Sequence, residues 1–433
     1  MLVEFRVENH RSIREEQVFT MEAGRVDRAQ DDRPREVQGS SSLLLPLAAF
    51  YGANASGKSN ILDAIHFVRL AVLHSHRNWD PAGGVPRNPF AWDGWPEQPS
   101  LFELTIISNG IRLQLGFVVD DSQILEEWLY AWPKGRKQIW YEREWNEGAY
   151  EYHYGDHFKG ERKLVEEVTR PNALFLSAAA QHGLQQIMPV YEWFWDLRTI
   201  NLQRQRHAFH HHTADTWLAA ALSGRTLDQQ SDSDENTKKL ETFLDLVRAA
   251  DVGISDIKKD PAKPASYLFQ HRCSDAERWL SFDEESDGTK NLIWRSQPLL
   301  DALWSGGLVV VDELERSLHP LLAQRIVDLF QSPESNPNHS QIIFTTHDTN
   351  LLAGMAGAPA LRRDQVWLTE KSRNDSTHLL PLSSYKPRKA ENLERGYLMG
   401  RFGGIPITTS MRGAALLGKP MPIREPEECA NVQ

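Results

Sequence analysis

Eight residues carry the clearest chemistry in this chain. Gly52-Ala53-Asn54-Ala55-Ser56-Gly57-Lys58-Ser59 has the spacing G-x-x-x-x-G-K-[ST], a phosphate-binding P-loop. Its glycines let backbone N–H groups turn inward around phosphate oxygens, and the helix that starts there adds positive potential. Lys58 is placed to reach the β- and γ-phosphates, and the Ser59 hydroxyl to take a Mg²⁺. Asn60 follows directly and is grouped with the loop. The implied ligands are ATP and Mg²⁺. A second group lies far down the chain. The apolar run Gly306-Gly307-Leu308-Val309-Val310-Val311 ends in Asp312-Glu313. A buried strand of this kind brings its terminal carboxylates beside a P-loop, Asp312 toward the Mg²⁺ shell and Glu313 as proton acceptor from an attacking water. Another buried run, Gln341-Ile342-Ile343-Phe344, leads into Thr345-Thr346-His347-Asp348. Finally Ser286-Asp287-Gly288-Thr289, ahead of the helical Asn291-Leu292-Ile293-Trp294, makes a second anion site at a helix start.

These groups need elements to hold them. The apolar run Leu43 to Tyr51, broken at Pro46, predicts a buried strand before the P-loop. Ile61, Ile65, Val68 and Val72 predict a helix after it. Residues 1–20 alternate and predict two short strands; 21–42 are polar and predict a loop. Residues 76–100, with five prolines and three tryptophans, form an irregular connector. Asn109-Gly110 between alternating runs predicts a hairpin. With runs at 124–130, 138–145 and 149–154, it makes an antiparallel meander rich in aromatics from Trp128 to Tyr154. Those rings admit a stacking platform for single-stranded nucleic acid; a sheet covered by another layer explains them without a ligand. Residues 160–250 are helical in pattern, without sustained heptads. Within His207-Ala208-Phe209-His210-His211-His212, His207 and His211 are one helical turn apart and admit a metal site, but no carboxylate or cysteine partner stands at metal-binding spacing, which favours a structural or solvated role. The expected fold class is α/β: a P-loop NTPase with a mixed core sheet, an antiparallel β lobe and a helical insertion. The expected division is 1–160 as lobe I, 161–250 as helical insertion, 251–380 as lobe II and 381–433 as tail.

The totals bound the function. Lys and Arg number 48 against 59 Asp and Glu, a formal charge of −11, so any contact with DNA or RNA must come from a local patch. Two cysteines, Cys273 and Cys429, are too few for a disulfide framework or a cysteine zinc site. No secretory signal and no run of about 20 apolar residues is present, which predicts a cytoplasmic protein without a membrane span.

The motifs also carry a resemblance. Glu285-Ser286-Asp287-Gly288-Thr289 resembles the cassette signature Leu-Ser-Gly-Gly-Gln, with Asp287 in place of a glycine. Glu313-Leu314-Glu315-Arg316-Ser317-Leu318-His319-Pro320 resembles the Walker B and D-loop run of the SMC-like and OLD-type ATPases. Val7 to Ile13 resembles their "NF[KR]S" start, which implies that Arg11 and Ser12 lie near the nucleotide. His347 matches the switch histidine that contacts the γ-phosphate in ATP-binding-cassette ATPases. Together these are similar to the cassette-type AAA-15/AAA-21 ATPases, OLD-like but without the TOPRIM domain, and to the RloA-type subunits of bacterial anti-phage and abortive-infection systems. The run from Asn392 to Pro406 resembles the end of members paired with a companion called RloB.

The resemblance implies a homodimer or higher oligomer in which Ser286, Asp287, Gly288 and Thr289 cap the ATP of a second copy. It also implies a separate RloB-like effector. An SMC-like ATPase acting directly on DNA is the alternative. The long insertion argues against a transporter subunit, and no acid or histidine constellation beyond the ATP site suggests a nuclease. No Q-loop can be placed by spacing; Gln181 is a candidate.

Overall fold

Residues Leu47–Gly52 are buried on both faces of the sheet they form, and the rest of the molecule is layered on that strand. The structure, a computed structural model, describes residues 1–25, 31–202, 233–250, 253–261, 267–272, 278–316, 318–353, 360–387 and 391–405. In chain order, Leu2–Glu8 (β1) and Gln17–Thr20 (β2) pair antiparallel, then Leu47–Gly52 (β3) leads into Lys58–Asn78 (α1). Ser100–Ser108 (β4), Ile111–Val119 (β5), Ile124–Trp132 (β6), Gln138–Asn146 (β7) and Ala149–Tyr154 (β8) follow as the expected meander. Three short helices come next, Arg162–Val168 (α2), Phe175–Gln181 (α3) and Met188–Asp196 (α4), then Arg198–Ile200 (β9) and Ser233–Ala250 (α5). Ile254–Lys259 (β10), Tyr267–His271 (β11) and Arg278–Ser281 (β12) form a small antiparallel sheet. The last third holds Asp287–Ser305 (α6), Leu308–Val311 (β13), Pro320–Gln331 (α7), Gln341–Thr345 (β14), Asn350–Ala353 (α8), Val366–Lys371 (β15), Thr377–Pro381 (β16) and Leu393–Leu398 (α9).

The core sheet has the order β16-β15-β3-β14-β13-β9. Its four pairings from β15 to β9 run parallel, and β16 closes the edge antiparallel. The outer sheet, β2-β1-β4-β5-β6-β7-β8, is antiparallel throughout. Alternation along β3 explains the layering. Ala48 and Phe50 face the core that holds α1 and the outer sheet. Leu47, Ala49 and Tyr51 face the core built with α5, α6, α7 and α9. Helix α1 therefore lies between two sheets, with Ile61, Ile65, Val68 and Val72 all inaccessible. Each such burial stabilises by roughly 1.5–3 kcal/mol before entropy is subtracted. Among the described residues no helix is long and apolar enough to cross a membrane.

Some local expectations shift. The strand before the P-loop starts at Leu47, not Leu43, because Pro46 has no N–H to give a sheet; Leu44 bridges to Glu22 and Arg35 instead. Inside the stretch read as helical, Arg198–Ile200 is a strand, paired parallel with β13. One face of the aromatic meander is covered, while Trp128, Tyr130 and Trp132 on the other stay partly exposed. Tyr141 packs on Phe158 and Phe175, and the buried Arg143 guanidinium lies 3.8 Å over the Tyr150 ring. The His207–His212 cluster and both cysteines lie outside the described residues.

Candidate functional site

The P-loop turns between β3 and α1, and close approach sets its composition. Gly57 has φ of 103° at the cap of α1. A Cβ there would sit 2.1 Å from Thr377 Oγ1 and 2.8 Å from Ser12 Oγ. At Gly52 a Cβ would meet Thr369 Oγ1 at 2.2 Å and Ser56 Oγ at 2.5 Å. The loop is thus walled by the β15–β16 hairpin. Thr369 bonds Ser56 Oγ at 2.5 Å, and Thr377 Oγ1 donates to Ser56 O at 2.8 Å. Lys58 Nζ donates to Gly52 O at 2.8 Å and Ala53 O at 3.0 Å. Burial pulls this ammonium down to about 8, against the attraction of Asp312, Glu315 and Glu313. Asn54 and Ala55 complete the exposed crest of the loop, Ala55 with φ of 64°.

Strand β13 delivers Asp312 to the first turn of α1. Asp312 Oδ1 accepts from Ser59 Oγ at 2.9 Å and from Thr345 Oγ1 at 2.7 Å. The same Thr345 oxygen accepts the Glu313 N–H at 2.7 Å. That bond holds Glu313 at φ 54°, a left-handed conformation that costs a non-glycine residue roughly 1–3 kcal/mol. The Glu313 side chain is half exposed, 3.8 Å from Arg316. After β14, the His347 N–H donates to Glu315 Oε1 at 2.7 Å. Burial and then Lys58 lower the imidazole, opposed by Glu315, Glu313 and Asp312.

The oxygen set at Ser59 and Asp312 suits Mg²⁺, a hard cation that takes one or two protein ligands and completes its shell with water and phosphate. Among the described residues no three His, Cys, Asp or Glu side chains converge as a metal cage. Those two side chains would therefore be the protein's share of the ion.

The family described as "AAA domain, putative AbiEii toxin, Type IV TA system" matches residues 47–353, from the first residue of β3 to the last of α8. The chain belongs to this family. No curated protein matches it. Among solved structures, the SMC head domain from Thermotoga maritima is 13% identical, with a TM-score of 0.39 over 88% of this chain and 98% of that one. An SmcHead bound to the C-winged helix domain of ScpA is 15% identical, with a TM-score of 0.43 over 88% and 96%. An Smc head domain with a coiled coil and joint from Pyrococcus yayanosii is 13% identical, with a TM-score of 0.41 over 92% and 99%.

Other residues of this AAA-domain protein stand at different distances from the cradle. Ser12 joins it: Ser12 Oγ bonds Thr377 Oγ1 at 2.7 Å and accepts from Asn60 Nδ2 at 2.6 Å. Arg11 clamps Asp63 on α1 through Nε at 2.5 Å and Nη2 at 3.2 Å. Ser286 Oγ caps α6, accepting the Thr289 N–H at 3.1 Å; Asp287 opens that helix and Gly288 is exposed. The hydrogen bonds of Ser286 thus stay within its own helix. Gln181 ends α3, and its neighbour His182 packs on His76, 5.8 Å between ring centres. His76 lies 18 residues beyond Lys58, about 27 Å along α1 at 1.5 Å per residue, so Gln181 is not at the phosphate end.

Several site residues had no signal in the spacing. Thr369 and Thr377 come from a hairpin more than 300 residues away. Asn201 Nδ2 donates to Asp312 O at 2.8 Å and its Oδ1 accepts from Arg295 at 3.3 Å, tying α6 to the carboxylate strand. Thr345 was visible as the residue ending the strand before His347, without its two bonds.

Proposed function

We propose that this protein binds ATP with Mg²⁺ and hydrolyses it, and that two copies close head to tail over two nucleotides to control a separate effector protein in anti-phage defence. The observation that carries the hydrolase reading is the Ser59–Asp312–Thr345 cluster, which joins the P-loop to the carboxylate strand and orients Glu313 through its backbone. Backbone N–H groups of 52–59 and the Lys58 ammonium hold the β- and γ-phosphates. Bound Mg²⁺ supplies charge neutralisation across those phosphates. Glu313, half exposed beside the loop, takes the proton of the water that attacks the γ-phosphorus, as the bond to the ADP oxygen breaks. His347 orients on the γ-phosphate. Ser286, Asp287, Gly288 and Thr289 reach the nucleotide of the second copy, since the N-terminal end of a helix suits an anion. The family's description as a toxin of a toxin–antitoxin system supports a conflict role, and the resemblance of the 392–406 run supports an RloB-like effector in the cytoplasm.

Purified protein is expected to hydrolyse ATP only with Mg²⁺, and Glu313→Gln to lose turnover while eluting as an ATP-bound dimer. Undiminished turnover in Glu313→Gln sinks the assignment of the base. A monomer at saturating ATP sinks the sandwich.

A further inference from the structure

We infer that the segment 392–405 is a positioning element for both nucleotide loops, acting through Tyr397 and Glu394; this rests on the ATP-hydrolase reading above. The segment is anchored in the core. Leu393, Tyr397 and Phe402 are 2%, 7% and 1% exposed. Phe402 folds back on α9 so closely that a Cβ on Gly396 would lie 2.4 Å from its ring.

From this anchor two arms reach the site. The first ends at the base of the P-loop. The Tyr397 ring stands edge-on to Tyr51 with centres 5.6 Å apart, and its hydroxyl donates to Gly404 O at 3.1 Å. Burial raises the phenol, and a hydrogen bond from the Gly52 backbone opposes that rise. Gly404 N donates to Glu370 Oε1 at 2.8 Å. A Cβ on Gly404 would be 3.6 Å from Gly52 Cα. Gly52 is the residue whose carbonyl holds Lys58 Nζ. The second arm ends behind His347. Glu394 Oε1 accepts from Thr349 Oγ1 at 2.9 Å, and Tyr51 OH donates to Asp348 O at 2.9 Å.

One short element therefore packs against the first residue of the P-loop and holds the Thr349 side chain, two residues beyond His347; the Tyr51 ring that Tyr397 supports holds the backbone at Asp348. Neither Tyr397 nor Glu394 touches the phosphates. The Thr349–Glu394 bond sets where His347 stands when water attacks, so it bears on the hydrolytic step. Tyr397 sets the floor of the cradle, so it bears on binding.

The test compares Thr349→Val with Thr349→Ser in the full chain. Thr349→Val is expected to lower kcat roughly five- to tenfold with the KM for ATP within about twofold, the loss of one positioning hydrogen bond. Thr349→Ser, which keeps the hydroxyl, is expected to retain turnover. Glu394→Ala added to Thr349→Val should cost nothing more, because the two share one contact. Tyr397→Phe is expected to raise KM several-fold and leave kcat near wild type. Equal activity of Thr349→Val and Thr349→Ser, or equal loss in both, overturns the inference. If the wild-type protein fails to turn over ATP, the hydrolase reading falls by itself. The positioning role is then decided by amide hydrogen exchange, which should quicken at 346–350 in Thr349→Val and not in Thr349→Ser. Identical exchange in the two variants overturns it.

Discussion

A buried ammonium bonded only to carbonyl oxygens is costly, and Lys58 shows the cost. Burial brings it to about 8, and the carboxylates of Asp312, Glu315 and Glu313 keep it from falling further. An arriving triphosphate stabilises the charged form, so Lys58 is a stronger base in the complex than in the free protein. The sign follows. Below about pH 8 the amine is already charged and affinity is flat. Above it, binding must take up a proton, and affinity falls toward about tenfold per pH unit. Calorimetry in two buffers of different ionisation heat at pH 8.5 should show proton uptake on binding; none at that pH contradicts the burial of Lys58. Thr345 is the other residue with two duties. Thr345→Val leaves the Glu313 N–H without its acceptor, at a cost of about 1–3 kcal/mol, and takes from Asp312 one of its two hydroxyl donors, Ser59 remaining. The midpoint of urea unfolding is expected to fall, and Thr345→Ser to restore it; equal midpoints would show that the hydroxyl is idle.

At the scale of elements, the P-loop depends on a hairpin it does not adjoin in sequence. Gly57→Ala must accept φ of 103° and a methyl 2.1 Å from Thr377 Oγ1. The strain is roughly 1–3 kcal/mol, and the wall would have to move. Loss of nucleotide binding at an unfolding temperature only a few degrees lower is the expected result, read by fluorescence of a labelled ATP analogue. Retained affinity would mean that the hairpin is not a rigid wall. The same dependence explains what the sequence could announce. The P-loop, the strand before it and the helix after it are local patterns within about 30 residues, and the meander from Ser100 to Tyr154 is paced by turns such as Asn109-Gly110. Both were legible. Thr369 and Thr377 gain their place from β15 lying beside β3, a long-range pairing with no mark at either threonine. Arg198–Ile200 is three residues long and becomes a strand because β13 offers it partners; its own sequence continues the helical pattern of α4.

For the whole molecule, the decisive question is where Ser286 acts. Its hydroxyl caps its own helix, and the proposed role puts it on the nucleotide of the second copy. Two inactive variants separate a site shared between chains from one within a chain. Lys58→Ala removes the phosphate hold, and Ser286→Arg blocks the helix end with bulk. Each alone is expected to be inactive, because both sites of a symmetric dimer carry the same defect. In a head-to-tail pair, each site draws Lys58 from one chain and Ser286 from the other. A mixed dimer then concentrates both defects in one site and leaves the second intact. Random pairing of equal amounts makes half the dimers mixed, each with one working site, so turnover should recover to about one quarter of wild type. Were Ser286 to serve the Lys58 of its own chain, every site in the mixture would carry one defect. The mixture would then be as inactive as its components.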